Sequence, residues 1–416
     1  MELLSLTAPG EEGCDRTRQK GSLPTSLAKA ECTLLDEALL AFQARGIEMV
    51  YAPDSLCGKD IRKLLKERGF IRVSGKTGRY SVDLKSPLVL FGDAYSCVLE
   101  PFAGDPALVR VFEENERRLR LGMAGLYPGS AVLFLDGEIL TGRISRHIRR
   151  RIGESSLQDD HKWICVPFGK ILKYMQFPGV VTMALNTEKV YTPDLGHFEI
   201  RETAGYPRLP VQIGNLRSMD RPFILVDDFY HNGYRMQKIT QSLRGQGLRE
   251  EGLIAGAVSG RGREMARREG LSVEAVYEIP NMKLWILESD MIPFYGGDRV
   301  EQMREDPDRE DGFVAGRRPS IYPMLPYQMP SFLKDAPYQA VYDLSVICLE
   351  NARRLFTVLE KIYENRFFRR LTLERLTEVI DDPGFPEAAL ESPLSQGQTA
   401  SGLLEQEITR LKRFKV

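Results

Sequence analysis

Apolar residues between positions 163 and 287 come in short runs, separated by stretches with helical spacing. The runs are WICVP, ILKYM, VVTMAL, FILVDD, LIAGAV, VEAVYEI and KLWIL, and helices are predicted over residues 234–245 and 263–269. Short apolar strands that alternate with helices are typical of βαβ units, in which helices cover both faces of a parallel sheet. The pattern therefore predicts an α/β domain with a mostly parallel sheet over residues 155–300.

The preceding segment has a mixed pattern. Residues 1–22 are polar and predict a flexible arm, and residues 23–142 predict an α+β domain. Its helices begin at Thr25 or Ser26, at Lys59, and at Asp105 followed by Pro106, the last of them ending at Gly122. The run VLFLDGEIL, residues 132–140, predicts a β-hairpin because Asp-Gly is a common hairpin turn.

The segment after residue 300 is built differently. Residues 301–335 are charged and rich in proline, which predicts a lid or insertion loop. Apolar residues at helical spacing, among them Leu344, Leu355 and Leu359, predict a helical extension over residues 336–382. Residues 383–416 predict a flexible tail that carries a short helix over residues 403–414.

Composition narrows the class of protein. The chain has 416 residues, 57 basic and 58 acidic side chains and a net charge of −1, which gives no overall field for nucleic acid or an anionic membrane. Its 6 cysteines form no C-x-x-C pair and it has 4 histidines, which argues against a disulfide framework or a zinc site. With no apolar run long enough for a signal peptide or a membrane span, we expect a cytoplasmic protein.

A local basic run remains within residues 143–151. Such a run is either the solvated face of a helix or a nucleic-acid site. Its arginines are Arg143, Arg146, Arg149, Arg150 and Arg151.

The segment FILVDDFYHNGYR, residues 223–235, is the richest in candidate chemistry. An apolar strand leads into Asp227 and Asp228, and a turn with Gly233 then opens a helix. Ligands bind at the carboxyl ends of parallel strands, and the amides of such a turn bind anions. The carboxylates suit a polyol or a magnesium shell, and the turn at His231, Asn232 and Gly233 suits a phosphate. A sugar phosphate has the hydroxyl groups that suit the carboxylates and the phosphate that suits the turn.

This segment resembles the phosphoribosyl diphosphate loop of the type I phosphoribosyltransferases. That loop has an apolar strand, two acidic residues, an apolar pair and a turn of threonines around a glycine, which falls on Gly233. His231, Asn232 and Arg235 stand where the family has threonines, and Arg235 is expected to contact the phosphate.

Flanking residues extend the resemblance. The family's pyrophosphate loop falls on Phe168, Gly169 and Lys170, which follow the first strand. Lys189, a candidate pyrophosphate ligand, precedes an aperiodic segment that corresponds to the family's mobile catalytic loop. Asp298, in PFYGGD, is similar to an acidic element after the family's final strand and is a candidate metal ligand.

The resemblance implies a function. The fold would be a phosphoribosyltransferase-like parallel sheet domain with an N-terminal α+β domain and a helical C-terminal extension. The activity would be that of a glycosyltransferase of the pentosyl type, with Mg²⁺ as cofactor and phosphoribosyl diphosphate or a nucleotide as ligand. Asp227 and Asp228 would be the catalytic pair, holding the ribose hydroxyls, and a homodimer is one expected assembly.

Two alternatives stay open. In one, Asp228 is a helix cap and Asp227 is solvated. In the ligand-binding interpretation, both carboxylates are exposed at the strand end and contribute little to folding. The pocket is also compatible with a non-catalytic module that senses a nucleotide, because the turn lacks the family's hydroxyl groups.

Overall fold

The computed structural model of the chain describes residues 71–73, 80–82, 85–127, 130–152, 163–169, 177, 180–192, 197–203, 205–295, 298–300, 318–321, 333, 335–381, 383–385 and 397–413. The predicted arm at 1–22, the helices predicted to begin at Thr25 or Ser26 and at Lys59, and most of the predicted lid lie outside these residues. The strands are β1 (Ile71–Val73), β2 (Tyr80–Val82), β3 (Lys85–Gly92), β4 (Ser130–Asp136), β5 (Ile164–Pro167), β6 (Val181–Thr182), β7 (Thr187–Tyr191), β8 (Phe198–Glu202), β9 (Phe223–Tyr230), β10 (Leu253–Ser259), β11 (Val273–Ile279), β12 (Leu284–Leu287), β13 (Asp298–Val300), β14 (Arg318–Ile321) and β15 (Gly384–Phe385). The helices are α1 (Pro106–Leu126), α2 (Gly137–Ile152), α3 (Leu209–Ser218), α4 (Tyr234–Gly245), α5 (Gly260–Glu269), α6 (Tyr338–Phe367) and α7 (Ala400–Lys412).

The central sheet is entirely parallel, in the order β6-β5-β9-β10-β11. Its first strand in the chain, β5, lies between the second and the third, so the strand order reverses between β5 and β9. In open α/β sheets, ligands bind at the carboxyl ends of the strands that flank such a switch point. The fold is thus the mixed α/β type with a parallel sheet that the sequence predicts.

Helices cover both faces of this sheet. Apolar residues of α3 and α4, including Ile213 and Ile239, pack on one face. On the other face, Ile144 and Ile148 of α2 pack among residues of the central sheet and of a second sheet. Burial on both faces explains why the strands read as unbroken apolar runs.

The second parallel sheet has the order β12-β3-β4. Strand β12, the run KLWIL, follows the central sheet in the chain but pairs with β3, for example Leu284 with Leu88. Residue 142, the predicted end of the N-terminal domain, lies within α2, and β12 comes from the predicted 155–300 domain. The two segments thus share one core in this structure.

The predicted hairpin at residues 132–140 is wrong. Strand β4 ends at Asp136, and α2 begins at once with Gly137. Leu140, Ile144 and Ile148 recur at helical spacing and are buried, so this burial outweighs the turn preference of the Asp-Gly pair.

A mixed sheet follows β6 in the chain. Strands β7 and β8 pair antiparallel, β13 joins β7, and β14 and β15 complete the order β15-β14-β13-β7-β8. The segment after Lys189, predicted to lack regular structure, therefore contains the second strand of a hairpin. Phe198 of β8 meets Tyr234 of α4 edge to face at 5.3 Å, which brings the hairpin beside the turn that precedes α4.

Helices α1 and α6 form a layer against the second sheet. Asp105 caps α1 and accepts a hydrogen bond from the Ala107 amide at 2.8 Å, as predicted, but α1 continues past Gly122 to Leu126. Helix α6 packs against α1 and α7 through a shared apolar core. The division of this part into a helical extension and a tail stays a prediction. Among the described residues, no helix is both long and apolar enough to cross a membrane.

Candidate functional site

The acidic pair lies at the switch point of the central sheet. Strand β9 pairs with β10 as far as Tyr230, but its pairing with β5 ends where Pro167 faces Val226. Asp227 and Asp228 therefore lie where β5 has just left the sheet. Only 5% of Asp227 and 1% of Asp228 is exposed, so the expectation of exposed strand-end carboxylates is wrong.

The segment after β5 passes directly over this pair. The Phe168 amide donates to the Val226 carbonyl at 3.1 Å, and both Phe168 and Gly169 are buried. A Cβ atom on Gly169 would come within 2.5 Å of the Asp228 carboxylate, so only glycine fits this approach. The predicted pyrophosphate loop thus lies against the carboxylate of Asp228, three residues before the predicted phosphate turn.

Burial disfavours the charged form of Asp227 in this site. Burial and the neighbouring charge of Asp228 raise the pKa of Asp227 well above its usual range, and Arg235 partly opposes this rise. The Asp227 carboxylate also accepts a hydrogen bond from the Asp228 amide at 2.9 Å. Buried carboxylates with a raised pKa are frequent at functional sites. The helix-cap alternative requires a solvated Asp227, but in the structure this side chain is buried.

The turn at residues 231–233 continues the site into α4. Gly233 has a φ of 69°, in the left-handed region that favours glycine, and it caps α4 without a side-chain hydrogen bond. The first amides of a helix have no partner within the helix and attract anions.

Several polar atoms around this turn have no protein partner among the described residues. They are Asn232 Oδ1, Arg235 Nε and the Tyr230 hydroxyl, all of them buried. The charge of Arg235 partly opposes the rise of the Asp227 pKa, and Arg235 lies on the first turn of α4, two residues after Gly233. Buried polar groups are nearly always satisfied in proteins, so such a group of orphan atoms indicates a site for a polar ligand. Sequence analysis does not single out Tyr230, because its position in the motif is an apolar one.

The other predicted ligand residues are Lys189, Lys170 and Asp298. Lys189 Nζ lies 4.3 Å from the Tyr191 ring centre and 4.5 Å from that of Phe198, in the β7–β8 hairpin. Its contact with pyrophosphate stays a prediction. Lys170 lies outside the described residues. Asp298 begins β13 in the mixed sheet, its side chain is outside the description, and its role as a metal ligand also stays a prediction.

The predicted basic run is the outer face of α2. Arg150 and Arg151 pair with Glu274 of β11 at 3.1 and 3.3 Å, and Arg143 lies over the Tyr277 ring at 5.1 Å. These contacts are what a solvated helix surface makes as it packs on a sheet edge, so they favour that alternative over a nucleic-acid site.

A second buried acidic pair lies at the carboxyl end of the other parallel sheet. Asp93 follows β3 and accepts hydrogen bonds from the Ser289 amide and hydroxyl at 2.8 and 2.6 Å. Glu288 follows β12, and burial, then the charge of Asp93, raises its pKa well above the usual range. Sequence analysis missed this pair because its members come from distant parts of the chain.

Comparisons with known proteins found weak structural similarities alone. No family model matches the chain, and no curated protein matches it. Among solved structures, it is similar to an adenine phosphoribosyltransferase from Thermoanaerobacter pseudethanolicus, with 8% identity, a TM-score of 0.22, and coverage of 34% of this chain and 81% of that one. A purine phosphoribosyltransferase from Pyrococcus horikoshii gives 11% identity, a TM-score of 0.23, and coverage of 41% and 97%. Scores this low carry no weight for function, for which the site itself is the basis.

Proposed function

We propose that the chain binds phosphoribosyl diphosphate or a nucleotide, together with Mg²⁺, at the carboxyl edge of the central sheet, and transfers the phosphoribosyl group to or from a nitrogenous base. The observation that carries this proposal is the contact of the Gly169 backbone with the Asp228 carboxylate. It joins a polyol-binding pair and two anion-binding turns in one site, which is the set of groups that a sugar phosphate needs.

Each part of such a ligand has a matching group. The amides of residues 231–233 and the start of α4 bind the 5′-phosphate, with Arg235 as a charged donor. Asp227 and Asp228 accept hydrogen bonds from the ribose hydroxyls. The backbone at Phe168 and Gly169 faces the pyrophosphate.

We expect Mg²⁺ to bind at this site together with the ligand, whose phosphates complete the coordination shell. The described residues contain no group of three or more His, Cys, Asp or Glu that holds a metal, so they form no dedicated cage. Mg²⁺ commonly takes one or two carboxylates and completes its shell with water and substrate phosphates, and Asp227 with Asp228 supplies that share. When bound, the ion would neutralise charge on the pyrophosphate.

Catalysis would be mainly electrostatic. As the bond from the anomeric carbon to pyrophosphate lengthens, positive charge develops on the ribose ring, and the ionised carboxylates of Asp227 and Asp228 stabilise it. A nitrogen of the base then forms the new bond to the anomeric carbon, while pyrophosphate leaves with the electron pair of the broken C–O bond and takes up the proton that the base nitrogen loses. The buried position of the pair keeps water away and strengthens this interaction.

A second candidate is a module that binds the same ligand without turning it over. The turn carries His231 and Asn232 in place of hydroxyl side chains, which favours binding over catalysis. Pyrophosphate release in the presence of a panel of purine and pyrimidine bases separates the two, because only the enzyme produces it.

Calorimetric titration with phosphoribosyl diphosphate, with and without Mg²⁺, tests the proposal. We expect binding that needs Mg²⁺ in the native chain and is lost in the double variant Asp227→Asn, Asp228→Asn. Glu288→Gln is the matched control, since it removes a buried carboxylate from the equivalent edge of the other parallel sheet. Equal losses in both variants, or no binding by the native chain, would reject the proposed site.

A further inference from the structure

A hydrogen bond joins the candidate phosphate turn to the next strand of the central sheet. Ser259, the last residue of β10, lies with its Oγ 2.8 Å from His231 Nδ1. The same Oγ accepts a hydrogen bond from the Gly262 amide at 3.0 Å and so caps α5. Ser259 is 2% exposed, which means that its hydroxyl proton also has to find its acceptor inside the protein.

The position of that proton decides which imidazole nitrogen is protonated. If Nδ1–H donated to Ser259, the hydroxyl would accept two hydrogen bonds and its own proton would need another acceptor. Among the described residues, His231 Nδ1 is the one acceptor recorded for it. An unsatisfied buried donor costs about 1 to 3 kcal/mol, so the arrangement in which Ser259 donates to Nδ1 is favoured. Neutral His231 then carries its proton on Nε2.

We propose that Ser259 is a positioning residue that holds His231 as the Nε2–H tautomer, so that the imidazole donates an uncharged hydrogen bond to a phosphate oxygen at the turn. The tautomer follows from the hydrogen bonds alone, and the phosphate contact rests on the proposed function. Burial, and then the charge of Arg261, lowers the pKa of His231, which agrees with a neutral ring.

The geometry of the ring explains why a histidine suits this turn. Nε2 lies on the side of the ring away from Ser259, and it has no protein acceptor in the part of the chain that the structure describes. The imidazole thus supplies one donor, as a threonine hydroxyl would, but its direction is fixed from the neighbouring strand. Without the Ser259 hydroxyl, the imidazole could change tautomer, and the ring could rotate so that Nε2–H no longer points at the phosphate.

Nitrogen NMR of the ligand-free full chain tests the tautomer. The chain has 4 histidines, so ¹⁵N-histidine labelling gives few signals, and His231→Gln assigns the relevant one. We expect Nδ1 to show the shift of an unprotonated nitrogen and Nε2 that of a protonated one. Ser259→Ala should move both toward a tautomer average, and Ser259→Thr should restore them.

Thr399→Ala is the matched control. Thr399 caps α7 through the same kind of bond, to the Gly402 amide at 3.2 Å, so its loss imposes a similar capping cost on a helix with no histidine beside the cap. The His231 shifts should not change in this variant. A proton on Nδ1 in the native chain, or unchanged shifts in Ser259→Ala, would overturn the proposal.

Titration with ribose 5-phosphate tests the phosphate contact. A glutamine amide nitrogen reaches roughly the position of Nε2 and an asparagine nitrogen that of Nδ1, so His231→Gln should stay within about threefold of native affinity. His231→Asn should weaken binding about tenfold, as expected for one lost hydrogen bond. The reverse order would overturn the contact. Absence of ribose 5-phosphate binding by the native chain would reject the proposed function and the contact together, while the NMR result would still decide the tautomer.

Discussion

Asp227 is a residue whose charge opposes folding. Its carboxylate has a raised pKa in the folded chain and an ordinary one in the unfolded chain. As pH rises above about 4, the unfolded chain ionises first, and stability falls until the folded carboxylate ionises as well. Above that point the loss stays constant. Such a loss of folding stability is common where a buried carboxylate is kept for ligand binding.

We therefore predict that Asp227→Asn stabilises the protein at pH 8. Asparagine keeps an oxygen for the Asp228 amide and removes the buried charge, so the free energy of unfolding should rise by about 1 to 3 kcal/mol. The gain should shrink as pH falls toward about 4. Urea unfolding at several pH values measures both effects. Destabilisation at pH 8 would instead show that the charge supports the fold.

Arg235 offers a second prediction for a single side chain. Because Arg235 lies on the first turn of α4 and its buried Nε has no hydrogen-bond partner among the described residues, Arg235→Ala should weaken ribose 5-phosphate binding by about 1.5 to 3 kcal/mol. Ribose itself should bind as before. Lys238→Ala, which removes an exposed cation from the same helix, is the control. Equal losses for both sugars would place Arg235 outside the phosphate site.

The residues of the site were predictable to the extent that they are neighbours in sequence. Asp227, Asp228 and Gly233 fall in one motif, and its spacing was enough to indicate them. Three features of the site depend on strands that are far apart in the sequence. They are the burial of the acidic pair, the close approach of Gly169 and the hydrogen bond between Ser259 and His231. No local pattern carries that information.

Helix α2 shows the same limit for an element. A strong turn pair, Asp136 with Gly137, predicted a hairpin, yet the chain there forms a helix because its apolar stripe has two sheets to pack against. Strand β9 and helix α4 were predictable because both faces of the strand are buried and the helix begins at a glycine turn. Tertiary burial thus decided the element where local signals conflicted.

The packing of α2 gives a test of its two faces. Ile148→Ala should lower the free energy of unfolding by about 2 to 4 kcal/mol, because the side chain is 1% exposed in the core that both parallel sheets share. Arg149→Ala, on the outer face, should stay within about 0.5 kcal/mol of the native chain. Urea unfolding measures both. A large loss of unfolding free energy in Arg149→Ala would mean that Arg149 makes a stabilising contact within the folded chain.

At the scale of the molecule, the two parallel sheets depend on each other. The Phe229 ring, directly after the acidic pair, stacks on Trp285 of β12 at 4.6 Å and meets Phe91 of β3 edge to face at 5.6 Å. Strand β12 itself pairs with β3. The site therefore rests on a core to which both segments contribute.

We predict that residues 155–300 do not fold when expressed alone. That fragment lacks α2 and β3, so it exposes the apolar face of β9 and β10 and leaves β12 without a partner strand. Heteronuclear NMR should show poorly dispersed amide signals, and a fragment covering residues 85–413 should show dispersed ones. Dispersed signals from the short fragment would show that it is an independent domain.

The late position of β12 also shapes how the chain reaches this structure. During synthesis, β3 and β4 leave the ribosome early, but the strand that covers the other edge of β3 is made only after the whole central sheet. Until then β3 presents open hydrogen-bonding groups and the apolar side chains of Leu88 and Leu90, an arrangement prone to pairing with other chains. Closing a long loop is slow, so we expect the nascent chain to be most prone to aggregation in the interval before β12 is made.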